Sequence, residues 1–470
     1  MPKYDYPGVY VEDVPPLSRP IAGVSTSVAG FIGIGSTFSA WDKMPVNPLG
    51  RRFSTVNLGV KLDASALELT LGEWPDWAND RCYVALKTSP DAKVWVEKRE
   101  SPTKITLKTD PKLSEKLPAA NNTITGVVEL VDGYYRQADA NKPFQVTSWE
   151  QFKNLFGDFS NENELLAHAI YAFFNNGGTR CWVARLTGYD ATVFQTCLDK
   201  FAAIEEISIV AAPGVATPAA VHETLVAHCF TLKNRIAILD CANDATAATI
   251  RSGSPASDPD GYSAFYCPWI IVSDPTKKQG ETVSVPPSGA IAGIYARTDS
   301  ERGVHKAPAN EVVRGALRLA FEISKVQQGP LNEIGVNCIR NFYGSIKVWG
   351  ARTLAAKPGG KPEWKYVNVR RFMNFLQESI EKELQWVVFE PNDFGLWQRI
   401  TRTVSDFLLA QWRAGALFGE TPKQAFFVRC DASTNPPDVR ELGQVVTEIG
   451  IAVVKPAEFV IFRIQQQTGG

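Results

Sequence analysis

Between Arg180 and Ser273 the chain alternates strand-like and helix-like runs, and this order narrows the possible folds more than any other feature. Arg180–Leu186, Ile207–Ala211, Arg235–Asp240 and Ser263–Ser273 are short, apolar and rich in β-branched residues, as buried strands are. Residues 191–204 and 217–233 between them read as helices. Consecutive strands joined by helices pair in parallel, so the expectation is a mostly parallel sheet covered by helices. Upstream, Ser25–Gly35 (STSVAGFIGIG) reads as one more buried strand. Its Gly30, Gly33 and Gly35 stand in the wrong order for a dinucleotide loop, which leaves tight strand packing as their role. Ser148 with Gln151 has capping-box spacing, and a helix over Asn163–Asn176 is closed by Gly177-Gly178.

The flanks differ in character. Residues 1–20 form an extended, proline-bearing arm, and 21–39 with 143–336 make the α/β middle domain. From 40 to 142 turn signals recur between short alternating runs such as Cys82–Leu86 and Lys93–Val96, the pattern of a small all-β domain inserted after the first strand. Trp74, Trp77 and Trp95 are either its core or a carbohydrate-binding platform. Residues 337–457 read as an α+β domain. It has one helix through Phe372, Leu376, Ile380 and Leu384, and a second through Trp397, Ile400, Val404, Phe407 and Leu408, closed by Gly419. After a strand over Phe426–Asp431, a helix Asp438–Glu448 is expected, with Val439, Leu442, Val446 and Ile449 inward and Asp438, Arg440, Glu441 and Glu448 outward. The strands Ile451–Lys455 and Glu458–Gln466 follow, with 458–470 forming a C-terminal arm. A strand so placed must pair either within its own sheet or with another chain.

Signals for chemistry are few. His222-Glu223 with His228 is H-E-x₄-H, whose imidazoles fall about 240° apart on a helix and cannot share a metal as an i, i+4 pair does. Gly359-Gly360-Lys361 lacks the remaining P-loop residues, and no nucleophile elbow occurs. No catalytic, cofactor or metal residues are therefore assigned. Asp240 and Asp274, each at the expected end of a strand, are the candidates for an alternative reading, an α/β hydrolase-like enzyme with an appended carbohydrate-binding module; otherwise each starts a turn. Asn121-Asn122-Thr123 matches a glycosylation acceptor but reads as a turn. A net charge of −1 argues against general attraction to nucleic acid or anionic membrane. The eight cysteines form no CxxC pair, which suits a reducing cytoplasm, and the start of the chain has no apolar signal-peptide core.

The residues also carry a resemblance. Tyr6-Pro7-Gly8-Val9-Tyr10-Val11-Glu12-Asp13-Val14 and Gly23–Gly33 are similar to the start of contractile tail sheath proteins of phages and related injection systems. So are Asn176–Arg185, Pro287–Gly293, Asn332–Asn337, Val348–Leu354, Tyr366–Arg371 and Lys455–Ile461, in that order. The resemblance leaves out residues 40–142, consistent with the outward-facing insertions this family carries, and is nearer to sheaths of phage-like particles than to two-chain secretion sheaths. It implies a structural, non-enzymatic subunit that polymerises with itself, in a helix of rings expected to be hexameric, around an inner tube protein. Contraction would drive the tube through a target envelope. It also implies baseplate and terminal cap partners, no nucleic acid and no membrane insertion. Terminal arms exchanged between subunits would complete a small sheet of the C-terminal domain, with Val9, Tyr10, Val11 and Glu12 on one arm and Phe459, Val460, Ile461 and Phe462 on the other. Asp438, Arg440, Glu441 and Glu448 are candidate tube contacts.

Overall fold

In the computed structural model the described residues are 20–35, 140–459 and 461, except 161–162, 216–217 and 278–279; within 56–128 six strands are described at the level of the backbone. The central element is a nine-stranded sheet. Its order is Glu311–Val312, Ser345–Val348, Val336–Phe342, Ser263–Cys267, Ile236–Asp240, Ile209–Ala211, Ala29–Ile34, Cys181–Leu186, Pro143–Val146. Every pair from Val336–Phe342 across to Cys181–Leu186 is parallel, and the pairs at the two edges are antiparallel. The mostly parallel sheet expected from the strand–helix alternation is present.

Side chains of the inner strands are apolar on both faces, and each face has its own core. Ala29, Phe31, Ile236 and Ile238 pack under helices α1 (Trp149–Phe156), α2 (Glu164–Asn175) and α5 (Ser288–Arg302). Val28, Ile32, Ala237 and Leu239 pack under α3 (Ala191–Ala202), α4 (Pro218–Leu232) and α6 (Lys325–Glu333). Strict alternation between two dry faces is what fully buried parallel strands require. The glycines of the first strand serve close packing: a Cβ on Gly30 would lie 2.7 Å from the Phe201 ring, and one on Gly33 2.9 Å from Leu166. Ser148 caps α1 by accepting from the Gln151 N–H at 3.1 Å, and Gln151 Oε1 accepts in return from Thr147 N at 2.8 Å.

The segment between Gly35 and Asn141 leaves and rejoins the sheet at one place. Gly35 N donates to Leu186 O at 3.0 Å, and Asn141 N donates to the adjacent Arg185 O at 2.8 Å. Within that segment the strands Tyr83–Leu86, Ser89–Ser101, Lys104–Lys108, Ala66–Thr70, Val56–Asp63 and Ile124–Val128 make a separate antiparallel sheet. Trp74 and Trp77 lie outside the described residues.

Two expectations about the sheets need correcting. The run Ser263–Ser273 is two strands in two sheets: Ser263–Cys267 in the main sheet, and Ile270–Ser273 in a three-stranded antiparallel sheet with Thr282–Val285 and Arg318–Leu319. Pro268, which has no N–H to donate to a ladder, separates them. The boundary expected at 336/337 cuts into the strand Val336–Phe342, which pairs with Ser263–Cys267 and returns through Ser345–Val348. Val336 and Cys338 join one face core and Ile339 the other, so the main sheet runs on to Val348.

Beyond it, α7 (Val367–Glu383) and α8 (Phe394–Arg413) build a third core from Phe372, Leu376, Leu396, Trp397, Ile400, Val404, Phe407 and Leu408. Asp393 caps α8 through Leu396 N at 2.8 Å. The helix ends at Arg413, earlier than the expected Gly419, because Gly415 at φ +78° turns the chain away.

The tightest helix contact is α2 against α5. A Cβ on Gly289 would lie 2.2 Å from Ala169 O, and one on Gly293 2.4 Å from Phe173 O, backbone atoms that cannot swing aside. Gly293→Val is therefore expected to cost about 3 kcal/mol or more. Gly188→Ala, where a Cβ meets nothing within 4 Å, stays within about 0.5 kcal/mol. Denaturant unfolding of the two variants checks both values.

Candidate functional site

The C-terminal unit ends in a sheet of two strands, Phe426–Arg429 and Glu448–Ile451, paired antiparallel with Phe426 opposite Ile451. Phe426, Val428 and Ile451 turn toward the helical core, while Phe427 stands in solvent at 55% exposure. Its ring lies over Gly450, where a Cβ would come within 2.1 Å of it. Among the described residues neither outer edge of this sheet carries another strand. Two strands alone are marginal in water, and each open edge offers unpaired N–H and C=O groups.

The helix expected over Asp438–Glu448 is much shorter, Pro437–Glu441. Gly443 at φ +70° closes it. Asn435, buried, then takes hold of the returning chain: its Oδ1 accepts from Val446 N at 2.6 Å and its Nδ2 donates to Val446 O at 3.0 Å. An amide side chain used this way imitates a strand partner and directs 448–451 into the sheet. Asp438, Arg440 and Glu441 remain together on the short helix. Glu448 lies on the strand instead, ion-paired with Arg429, and Leu442, Val446 and Ile449 are exposed rather than inward.

The C-terminal tail begins where Val453 bridges Leu417. From Val454 to Phe459 it joins no sheet, so the strands expected over Ile451–Lys455 and from Glu458 onward are not formed there within this chain. What fixes the tail is Glu458. Arg352 grips its carboxylate bidentately, Nε to Oε1 at 2.7 Å and Nη2 to Oε2 at 2.6 Å. Asn332 Nδ2 adds a bond at 2.7 Å and the Tyr366 hydroxyl one at 3.0 Å. Arg352 is itself buried and braced by Asn332 O at 2.7 Å. Burial opposes ionisation of Glu458, but the bonds from Arg352 and Asn332 outweigh it and hold the carboxyl below its ordinary value. Immediately beyond this anchor, Phe459 is 71% and Ile461 80% exposed. Val460 and Phe462, and the other arm's Val9, Tyr10, Val11 and Glu12, lie outside the described residues.

The anchor was not apparent as a site in the sequence. Asn332, Arg352 and Tyr366 are far apart in the chain, and the only signal was that each lies in a stretch carrying the family resemblance.

The candidates for catalysis are not brought together. Asp240, at a strand end in the main sheet, accepts from Ser288 N at 2.8 Å and Ser288 Oγ at 2.5 Å, and so caps the start of α5. Burial pushes it up to about 7 against these bonds. Asp274 starts a turn in the three-stranded sheet, bound by Thr276 N at 2.9 Å and Lys277 Nζ at 2.9 Å. Burial would raise it, yet these partners hold it at about 2. His222 and His228, both on α4, face different neighbours, Phe265 and Arg235 respectively. Burial first of all depresses each to about 4, so both are neutral imidazoles.

Two family models match this chain: phage tail sheath protein central domain over residues 187–354, and phage tail sheath C-terminal domain over residues 361–467. The chain is similar to the tail sheath protein of Burkholderia phage BcepMu, 28% identical over 187 residues covering 38% of each chain. With the tail sheath protein of Salmonella phage ViI it is 25% identical over 186 residues, 38% of this chain and 28% of that one. The chain thus spans less than half the length of these relatives. Likeness of fold extends further. The sheath complex of the PVC extracellular contractile injection system, in its contracted state, superimposes with a TM-score of 0.64 at 23% identity, covering 99% of both chains. The contracted helical sheath of the anti-feeding prophage gives 0.63 at 24%, covering 99% of this chain and 100% of that one.

Glu458→Gln is expected to weaken docking of the tail by about 2 kcal/mol, read as faster amide exchange over residues 454–459. Acid should act in the same direction. A carboxyl whose docked pKa lies below its free value of 4.5 contributes fully above that value, and the contribution is lost as pH falls through the docked pKa. Tail exchange measured from pH 7 to pH 3 checks this.

Proposed function

The chain belongs to the phage tail sheath protein family, and from that membership we propose that it is the sheath subunit of a contractile, phage-like injection particle. It polymerises helically around an inner tube, in rings of six, and contracts to drive the tube through a target envelope. Its role is structural; the separate engagement of Asp240 and Asp274 as a cap and a turn supports a subunit without catalytic work. The baseplate, a terminal cap and the tube protein are its further partners, and residues 40–142 form a module on the outside of the sheath. Asp438, Arg440 and Glu441 are the side chains offered to the tube. The protein is made in the cytoplasm and reaches its target as part of the assembled particle.

One observation carries this reading: a sheet with two strands among the described residues, and no further strand on either edge there, lies in the same unit as a tail that is anchored at Glu458 and then presents Phe459 and Ile461 to solvent. The arms complete that sheet in neighbouring subunits by strand addition. Magnitudes indicate what holds such a strand. Four ladder bonds at about 1 kcal/mol each fall short of the roughly 1–2 kcal/mol per residue spent on ordering five residues. Burying Phe459, Val460, Ile461 and Phe462 at about 1.5–3 kcal/mol apiece reverses the balance. The ladder sets direction, and the apolar side chains supply the net affinity. A head-to-tail contact that does not close on itself generates a helix. The extended sheath is the metastable state, held by kinetics until triggered.

Deleting residues 1–14 or 458–470 should leave a folded subunit that forms no tubes in negative-stain images. The pair Phe459→Ser with Ile461→Ser, which keeps the backbone, should lose most of the assembly. Tubes of normal length from the truncated proteins would rule out the arm assignment.

A further inference from the structure

Both ends of the described chain are tied to a single helix, α7. On the N-terminal side, Pro20–Val28 runs as a strap before the first strand. Val24 N donates to the buried Ser379 Oγ at 3.1 Å, and Arg371 Nη2 donates to Thr26 O at 2.8 Å. Arg371 also forms a bidentate pair with Asp299 of α5, at 2.8 and 2.5 Å, and Thr26 Oγ1 bonds the same carboxylate at 2.6 Å. The guanidinium lies over the Tyr295 ring at 4.6 Å. Both ionic partners are nearly dry, with side-chain exposures of 3% and 6%. A Cβ on Gly23 would touch the Phe375 ring, so the strap lies flat on the helix. On the C-terminal side, Tyr366, the residue before the first turn of α7, bonds Glu458, and Asn368 Nδ2 donates to Val454 O at 3.3 Å. The strap's contacts run from Arg371 to Ser379, and the tail's lie just before them at Tyr366 and Asn368.

We infer that α7 shields the central strand from tension: pull on the N-terminal arm is taken up by the strap's bonds to Ser379 and Arg371 before it reaches Ala29–Ile34, while pull on the tail passes mainly through Glu458 to Arg352 and Asn332. The chain path requires some such device. The strap continues directly into Ala29–Ile34, in the interior of the sheet. Without the bonds to Ser379 and Arg371, a pull on the N-terminal arm would act straight on that central strand. With them, the load on that arm is shared across several bonds to α7 and, through Arg371, to Asp299 of α5. The inference rests on the proposed role of the arms as intersubunit links.

The test is single-molecule stretching of the full chain by peptide tags at its two termini. If α7 carries the load, the first rupture releases only an arm root. That is about 30 Å of contour for residues 20–28, or about 25 Å for 452–458. Ser379→Ala, which removes one hydroxyl and leaves the Arg371–Asp299 pair intact, should lower the force of the strap's release by about a third or more, whereas Tyr366→Phe, at the tail's root, should leave it unchanged. Their folding is checked separately by thermal unfolding. A first event that releases several hundred ångströms, or a strap-release force unchanged by Ser379→Ala, overturns this role of α7. Neither of those outcomes bears on the arm reading, which fails instead if arm-deleted protein still forms tubes.

Discussion

The position of Ala29–Ile34 constrains everything else in this molecule. It is the first strand of the sheet in sequence, yet it lies in the interior, flanked by Cys181–Leu186 and Ile209–Ala211. Both faces are buried, so its neighbours must be apolar on both sides, and its glycines must admit Phe201 and Leu166. The N-terminal strap is thereby drawn across α7 before it reaches the sheet. The long segment that follows is obliged to start at the strand's far end. The strap's path and the apolar neighbours on both faces follow from one strand buried on both sides.

Much of this was legible because the signals are local and repeated. Strand–helix alternation located the parallel sheet, Ser148 and Gln151 located the start of α1, and the apolar stripes of α7 and α8 located the third core. What escaped was decided by single residues or by distant partners. Pro268 divides one apolar run between two sheets, which no periodicity reports. Gly443 and Asn435 together convert the second half of an amphipathic pattern into a strand, since Asn435 meets Val446 through a contact that helical spacing does not encode. The Glu458 anchor draws on residues 332, 352 and 366, a convergence that exists only once the chain is folded.

The C-terminal unit carries a two-stranded sheet and an anchored tail in one body. Among the described residues its sheet has two strands, while its tail is fixed by a buried arginine with Phe459 and Ile461 uncovered just beyond. Charge and apolar surface are separated along the tail: Glu458 is held in place, and Phe459 and Ile461 after it stand in solvent. Because the anchor is bidentate and braced by Asn332, it fixes direction as well as position. A tail held only by apolar contact would be free to fold back onto its own subunit.

The paired departure and return at Gly35 and Asn141 has a consequence for variation. The two ends of the intervening segment bond adjacent carbonyls of one strand, Leu186 and Arg185. The sheet therefore experiences that segment as a short closed loop, whatever its length. Loop closure costs grow only slowly with chain length, so the site behaves as a splice point. One module can be exchanged there for another, larger, smaller or of different chemistry, while the strands on either side keep their register. In a polymer of such subunits the same point, repeated on every copy, would carry whatever is spliced into it at a fixed and regular spacing.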